Sequence, residues 1–179
     1  MNDYKIIDDF LPSEIFTKIR IALLPSYEEV KKEETSKTPI EIFHPLWTYN
    51  PVVNHNINKN WKLFYMFHLV YNHTILSPFY DILHPVCELL SIKSLIRIKC
   101  NLYPNTEIIK ENGMHIDYPY LHKIAVLYIN SCDGYTKFED GTKIDSIANR
   151  MLIFDGDTMH TSSTTTNEIA RCNINFNYF

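Results

Sequence analysis

The stretch Met114-His115-Ile116-Asp117-Tyr118 decides how the rest of the chain is interpreted, because it places two metal-binding side chains two residues apart. In an extended strand alternate side chains leave the same face, so His115 and Asp117 would have Cβ atoms about 6–7 Å apart. One metal ion can lie between an imidazole and a carboxylate placed in this way. The pair alone is weak evidence, because a surface turn or a strand-edge pair gives the same pattern.

A third ligand is expected from His160, which follows the apolar run Met151 to Phe154 and a turn at Gly156. Two histidines and one carboxylate on one face of an ion leave the opposite positions open, which is the arrangement expected for non-haem Fe(II) oxygenases. His122 is the main competitor. It follows a predicted turn, however, which would carry its side chain away from the metal face.

The last predicted strand carries a second candidate group, headed by Arg171. A guanidinium is a fixed, always-charged fork that binds a carboxylate through two parallel hydrogen bonds, so Arg171 suits a dicarboxylate cosubstrate whose other end chelates the metal. Its face continues with Asn173, Asn175 and Asn177, while the opposite face is apolar. A slip of one residue would bury every amide, so the register is strongly specified. Asn173 and Asn175 are candidates to order water or cosubstrate near iron.

The order His115, Asp117, His160 and Arg171 resembles the motif of the 2-oxoglutarate- and Fe(II)-dependent dioxygenases, and within them the prolyl 4-hydroxylase-like branch. The resemblance includes residues 97–104 and 171–179, covers residues 95–179 well, and is loose over the first 90. It implies that 2-oxoglutarate chelates iron through its 2-oxo acid end while Arg171 holds the distal carboxylate. It also implies that Tyr103 and Tyr128 hydrogen-bond 2-oxoglutarate.

The function implied by this resemblance is that of an enzyme, a hydroxylase that consumes O2 and 2-oxoglutarate and releases succinate and CO2. Its substrate would be a peptidyl, prolyl-type side chain or a small molecule, and ascorbate is a candidate reductant. A carboxylate at Asp117 favours hydroxylation over halogenation, which needs that position free for halide. The alternative is a non-catalytic jelly-roll module that retains a metal for binding or structural purposes.

Composition limits the class of protein. A chain of 179 residues with 45% hydrophobic and 21% charged residues predicts one domain, residues 1–179, with a core of its own. A net charge of −4 argues against a nucleic acid as partner. No apolar stretch approaches the length of a membrane-spanning helix and the start lacks a signal-peptide pattern, so a cytoplasmic protein without membrane association is predicted. The oligomeric state is left open.

The hydrophobic period changes near residue 94. Before it, the pattern predicts helices over 13–24, from Trp61 to Val70, and from Ser77 through Leu90, the last kinked or split at Pro85. After it, a period of two predicts six strands, over residues 95–102, 123–130, 135–138, 143–147, 151–154 and 170–179. The predicted fold is mainly β with N-terminal helices (α+β). Its core is a double-stranded β-helix, or jelly roll, in residues 95–179, with residues 1–94 as mostly helical support and loops.

Two irregular segments are candidates to cover the mouth of such a barrel, the aromatic, Asn-rich stretch 43–60 and the insert 105–113. We expect one or both to become ordered when substrate binds. Trp47 and Tyr49 could provide a flat apolar surface for a proline ring. An equally consistent interpretation is that they pack the first segment onto the helices.

Overall fold

The computed structural model describes residues 3–26, 28–31, 44–51 and 63–179. These ranges include helices α1 (Ser13–Leu23) and α2 (Phe79–Leu89). The strands are β1 (Tyr4–Ile7), β2 (Thr48–Asn50), β3 (Tyr65–Asn72), β4 (Leu95–Pro104), β5 (Lys123–Tyr128), β6 (Tyr135–Phe138), β7 (Lys143–Asp145), β8 (Met151–Asp155), β9 (His160–Ser162) and β10 (Ala170–Tyr178). In the described part of the chain, no helix is long and apolar enough to cross a membrane.

The strands form two antiparallel sheets, as predicted. The major sheet has the order β1-β8-β5-β10-β4-β3-β2, and the minor sheet has the order β7-β6-β9. An apolar layer joins the minor sheet to the β5–β8 half of the major sheet, and it consists of Ile124, Val126, Tyr128, Phe138, Ile144, Leu152 and Phe154. Each apolar side chain buried in this way contributes roughly 1.5–3 kcal/mol.

The helices cover the other face of the major sheet, which also agrees with the prediction. Ile19 and Leu23 of α1 and Phe79, Leu83 and Val86 of α2 belong to the larger core cluster. The apolar face of β10 joins the same cluster through Cys172, Ile174, Phe176 and Tyr178. Because side chains alternate along a strand, the polar face of β10 is turned away from the helices and toward the space between the sheets.

The predicted buried helix from Trp61 to Val70 is wrong over its described part. Tyr65–Asn72 is strand β3, paired with β4. Val70 belongs to the helix-side core, whereas Tyr65 stacks on Tyr103 from the opposite face. Aromatic and β-branched residues favour strands, and a short apolar run does not distinguish a strand from a buried helix by its period.

Two further expectations for the first 94 residues need correction. The segment contributes strands β1, β2 and β3 to the major sheet, so it is more than helical support and loops. Of the two outcomes expected at Pro85, a kink or a split, the split is wrong, because helix α2 runs through Pro85; the kink stays a prediction.

Candidate active site

A short backbone contact brings the two parts of the predicted metal site together. His115 forms an isolated antiparallel bridge with His160, the first residue of β9; the N–H of each donates to the carbonyl of the other, at 2.9 and 3.0 Å. Residues 117–120 form bends, so the extended strand expected around residues 114–118 is wrong. The side chains nevertheless converge, and ligand atoms of His115, Asp117 and His160 lie within 4.8 Å of one another.

Both histidines have the tautomer that a metal ion requires. His115 Nδ1 donates to the carbonyl of Gly113 at 3.1 Å, and His160 Nδ1 donates to that of Thr158 at 2.9 Å. A carbonyl only accepts, so the proton is on Nδ1 and the lone pair of Nε2 remains available to an ion. Burial of His160, 6% exposed, and the neighbouring His115 lower the pKa of His160 to about 4, so it is neutral near pH 7.

Asp117 offers one oxygen to the histidines and has the other held by neighbours. Its Oδ1 lies 3.6 Å from His115 Nε2. Its Oδ2 lies 2.9 Å from Nη2 of Arg97 and accepts a hydrogen bond from Asn175 Nδ2 at 3.1 Å. Burial raises the pKa of Asp117, but the interactions with His115 and the charge of Arg97 outweigh it, so the pKa lies well below its usual range. The group is therefore a carboxylate at neutral pH.

A chain of hydrogen bonds connects Asp117 to His122. Asn175 donates to Asp117 and Asn177 Nδ2 donates to Asn175 Oδ1, and these directions follow because an ionised carboxylate only accepts. His122 Nε2 lies 2.8 Å from Asn177 Oδ1, and His122 Nδ1 lies 2.8 Å from the carbonyl oxygen of Tyr120, so both ring nitrogens face an acceptor. His122 lies outside the group of converging ligand atoms and supports Asp117 from a distance.

Arg171 is buried without a counter-ion among the described residues. It is 0% exposed. Its Nη2 donates to Thr136 Oγ1 at 3.1 Å and its Nη1 to the carbonyl of Ser163 at 3.4 Å, whereas its Nε has no partner in the described part of the chain. An unpaired charge inside a protein is costly. Such a site is suited to an anion that supplies the missing acceptor oxygens.

Tyr103 and Tyr128 enclose this guanidinium. Its central carbon lies 5.6 Å from the ring centroid of Tyr103 and 5.4 Å from that of Tyr128. Tyr128 donates to Thr136 Oγ1 at 2.8 Å. Burial raises the pKa of Tyr128, and it raises that of Tyr103 to about 12, so both are neutral phenols.

The comparisons with known proteins bear on the fold. No family model matches the chain, and no curated protein matches it. Among solved structures, a prolyl hydroxylase from Trichoplax adhaerens in complex with a hypoxia-inducible-factor peptide fragment is similar at 19% identity and a TM-score of 0.61, over 100% of this chain and 84% of that one. The chain has the fold of the 2-oxoglutarate-dependent oxygenases. The resemblance seen in the sequence is confirmed at the level of the fold.

Two further solved structures share this oxygenase fold. A non-haem, alpha-ketoglutarate-dependent epimerase, SnoN from nogalamycin biosynthesis, matches with a TM-score of 0.62 at 10% identity, over 99% of this chain and 78% of that one. HygX from Streptomyces hygroscopicus, solved with nickel and 2-oxoglutarate bound, matches with a TM-score of 0.59 at 10% identity, over 99% and 82% of the two chains.

Within this oxygenase fold, the polar row of β10 lies beside a second polar row on β4. Arg171 is opposite Tyr103, Asn173 opposite Asn101, Asn175 opposite Lys99, and Asn177 opposite Arg97. Asn101 Nδ2 donates to Asn173 Oδ1 at 3.1 Å, while Asn101 Oδ1 has no partner in the described part of the chain. The rows form a continuous polar floor that runs from Arg171 to Asp117.

Sequence reasoning missed the β4 side of this floor. Arg97, Lys99 and Asn101 alternate with apolar residues in the same way as the asparagines of β10, and that alternation is the signal that could have identified them. It also missed Gly134, which was assigned only to a turn. A Cβ atom at Gly134 would lie 2.6 Å from Arg171 Cδ, so the absence of a side chain there makes room for the arginine.

The two predicted mouth segments have different outcomes. In the first segment, residue 43 and residues 52–60 lie outside the described residues. Trp47 packs against the helix-side core, and Tyr49 pairs with Phe64, whereas Asn50 donates to Tyr65 on the site face. Of the two interpretations given for Trp47, the structure supports packing of the segment onto the helices. The insert 105–113 is fixed to the chain after β9 by bridges from Asn105 and Glu111.

Proposed function

We propose that the protein is an Fe(II)- and 2-oxoglutarate-dependent oxygenase that hydroxylates an organic substrate. The observation that carries the proposal is the buried, unpaired guanidinium of Arg171 at one end of a polar floor whose other end meets the His115, Asp117 and His160 cluster. A metal site alone would not require this cation. A dicarboxylate that chelates the metal with one end would bind Arg171 with the other.

In this proposal, His115 Nε2, Asp117 Oδ1 and His160 Nε2 hold the metal ion. The donor set fits Fe(II), since two neutral imidazoles and one carboxylate leave coordination positions open. The backbone carbonyls behind both histidines fix the rings, and Arg97 and Asn175 fix the carboxylate, so the ligands are arranged before the ion arrives.

Arg171 binds the distal carboxylate of 2-oxoglutarate, with its unpartnered Nε as one donor. Tyr103 and Tyr128 close the pocket around that carboxylate, and their neutral hydroxyls provide hydrogen-bonding groups. Asn173, with Asn101, lies between the two ends and can hydrogen-bond the cosubstrate or a water molecule. These contacts orient 2-oxoglutarate and exclude bulk water from it.

The bound metal would supply the oxidative chemistry, in which O2 and 2-oxoglutarate yield succinate, CO2 and an oxidised substrate. The chain itself positions the reactants and protects them from bulk water. Asp117 occupies the carboxylate position, which favours hydroxylation over halogenation. The peptide bound by the Trichoplax prolyl hydroxylase supports a peptidyl, prolyl-type substrate, and the epimerase supports a small molecule; ascorbate remains a candidate reductant.

The alternative function is a jelly-roll module that retains a metal without turnover. It accounts for the three converging ligands but gives no reason for the unpaired charge of Arg171. Binding of 2-oxoglutarate therefore discriminates the two functions.

The test is a thermal-shift titration of 2-oxoglutarate in the presence and absence of Mn(II), which resists oxidation. At a hundredfold excess over its dissociation constant, 2-oxoglutarate should stabilise the metal-loaded protein by about 2.7 kcal/mol, or about 5–10 °C in melting temperature. Arg171→Met, which keeps an apolar stem, should abolish that shift. Arg150→Met is the matched control, because Arg150 pairs with Asp8 at the surface. A shift that persists in Arg171→Met would refute the assignment.

A further inference from the structure

The open part of the site floor lies on β3 and β4. Tyr65, Phe67 and Leu69 of β3 are partly exposed, and so are Arg97 and Lys99 of β4. Phe67 is paired with Asn101 and Leu69 with Lys99, so these side chains share the face that leads to Asp117. The surface therefore combines the apolar side chains of β3 with two cations beside the candidate metal ligands.

Lys99 is the cation without a partner. Its ammonium lies 5.6 Å from the ring centroid of Tyr65, and no hydrogen bond or ion pair joins it to any residue that the structure describes. Its position on the polar floor is four residues from Tyr103 and opposite Asn175. A lysine that points into a site without its own carboxylate is suited to an anionic ligand.

Among the described residues, Asp117 is the carboxylate whose charge acts on Lys99. This carboxylate is already engaged by other groups. Asp117 Oδ2 lies 2.9 Å from Arg97 Nη2 and accepts from Asn175, while Oδ1 is turned to the histidines. Arg97 Nε is itself buried without a partner in the described part of the chain. Two neighbouring cations thus share one carboxylate, which a metal ion would also use.

Loading the site does not remove this excess of positive charge. The divalent ion, Arg97, Lys99 and Arg171 carry five positive charges, against three negative charges on the proposed 2-oxoglutarate dianion and Asp117. With Arg171 on the distal carboxylate and Arg97 on Asp117, Lys99 is the cation without a carboxylate of its own. An additional anion next to the open metal positions would reduce the cost of holding these charges together.

We propose that the substrate carries a carboxylate, that Lys99 binds it with the charge of Arg97 behind it, and that the adjoining apolar part of the substrate lies on Tyr65 and Phe67. This inference rests on the proposed function, since it identifies the substrate class of the same site. The carboxylate can belong to a free organic acid or to an acidic side chain of a peptide. The recognition chemistry is the same in both.

The experiment compares probes that differ by one charge. Phenylacetate and phenylacetamide are titrated into protein loaded with Mn(II) and 2-oxoglutarate, and binding near the metal is measured from the paramagnetic broadening of the probe's proton resonances. Phenylacetate should bind about tenfold more tightly, the effect expected of one charge-assisted hydrogen bond. A second pair, N-acetyl-Phe-Glu-amide and N-acetyl-Phe-Gln-amide, shows whether a peptide supplies the acid.

Lys99→Met assigns the preference to this residue, because methionine keeps an unbranched stem without the charge. It should reduce the preference for the acid to less than about twofold while the affinity for 2-oxoglutarate stays unchanged. Lys93→Met is the control, since Lys93 is an exposed lysine two residues before the start of β4. It should leave the preference intact.

Four results would overturn the inference. Three concern the probes: equal affinity for the acid and the amide in both pairs, no binding of any probe, and a preference that survives Lys99→Met. A tenfold loss of 2-oxoglutarate affinity in Lys99→Met would place Lys99 in the cosubstrate site and also overturn it. If wild-type protein binds no 2-oxoglutarate with Mn(II), the proposed function fails separately. The probe pairs are then compared on the metal-free protein by chemical-shift changes, and the same outcomes decide.

Discussion

At the scale of single residues, Asp117 depends on partners that are distant in sequence. Asn177 joins His122 to Asn175, and Asn175 holds the carboxylate. Asn177→Leu leaves a buried donor and a buried acceptor without partners, so we expect about 1–3 kcal/mol of destabilisation in urea unfolding. Because outer-shell partners orient metal ligands, Mn(II) affinity should fall about 10–100-fold.

The control for this prediction is Asn105→Leu, since Asn105 is exposed and, within the part of the chain that the structure describes, donates to the carbonyls of Glu168 and Ile169. It should leave Mn(II) affinity unchanged. Wild-type metal affinity in Asn177→Leu would show that the hydrogen-bond chain does not support Asp117.

His160 makes the stability of the metal-free protein depend on pH. Its pKa is lowered from 6.5 to about 4 by burial and by His115, so between these values the unfolded chain binds more protons than the folded one. Its stabilising contribution is therefore present above pH 6.5 and is lost as pH falls toward 4, by up to about 3 kcal/mol. Urea unfolding of wild type and His160→Gln at several pH values isolates this contribution. Identical pH dependence in both proteins would contradict it.

The sequence was most informative where residue type alone restricts the chemistry. His115, Asp117, His160 and Arg171 were identifiable because imidazoles, a carboxylate and a guanidinium have few interpretations in that order. The supporting partners were not identifiable in the same way. Lys99 of β4 meets Asn175 of β10 only through strand pairing, and such pairing between distant segments is not encoded in local spacing.

At the scale of elements, the second half of the chain was more predictable than the first. The six strands expected after residue 94 are present, with ends that differ by a few residues. Polar and apolar residues alternate in β4 and β10, and short apolar runs bounded by turn residues identify β5 and β8. Strand β3 was mistaken for a helix because both of its faces carry large apolar side chains, one against the helices and one on the site floor. A strand that is apolar on both faces lacks the diagnostic period.

The turn between β5 and β6 also has a part in the site. A Cβ atom added at Gly134 would lie 2.6 Å from Arg171 Cδ and 2.6 Å from the backbone oxygen of Thr164. Gly134→Ala should therefore displace Arg171 and weaken 2-oxoglutarate binding by tenfold or more in a calorimetric titration. Gly141→Ala is the matched control, because Gly141 has a positive φ of 89° but open space around it. It should cost stability without changing 2-oxoglutarate affinity.

At the scale of the whole molecule, the major sheet changes character across its width. Its outer face is covered by the helices; its inner face is apolar at β5 and β8, polar at β10 and β4, and partly exposed at β3. The larger core and the candidate site therefore lie in different layers. The protein can carry unpaired polar groups on the floor because its larger core is on the other side.

This separation predicts the effect of removing metal ligands. His115→Ala, Asp117→Ala and His160→Ala should each lose stoichiometric Mn(II) binding, measured by electron paramagnetic resonance, while circular dichroism shows a folded protein. His122→Ala should retain the metal stoichiometry, since its ring lies outside the ligand group. Loss of metal in His122→Ala with retention in His160→Ala would reverse the ligand assignment.

The central claim is that one cosubstrate joins the metal cluster to Arg171, and a crystal structure of the protein with Mn(II) and 2-oxoglutarate tests it most directly. The account predicts the ion on His115 Nε2, Asp117 Oδ1 and His160 Nε2, with the distal carboxylate of 2-oxoglutarate on the guanidinium of Arg171. An ion bound elsewhere, or a 2-oxoglutarate molecule whose distal carboxylate is on Lys99 while Arg171 stays unpaired, would contradict it.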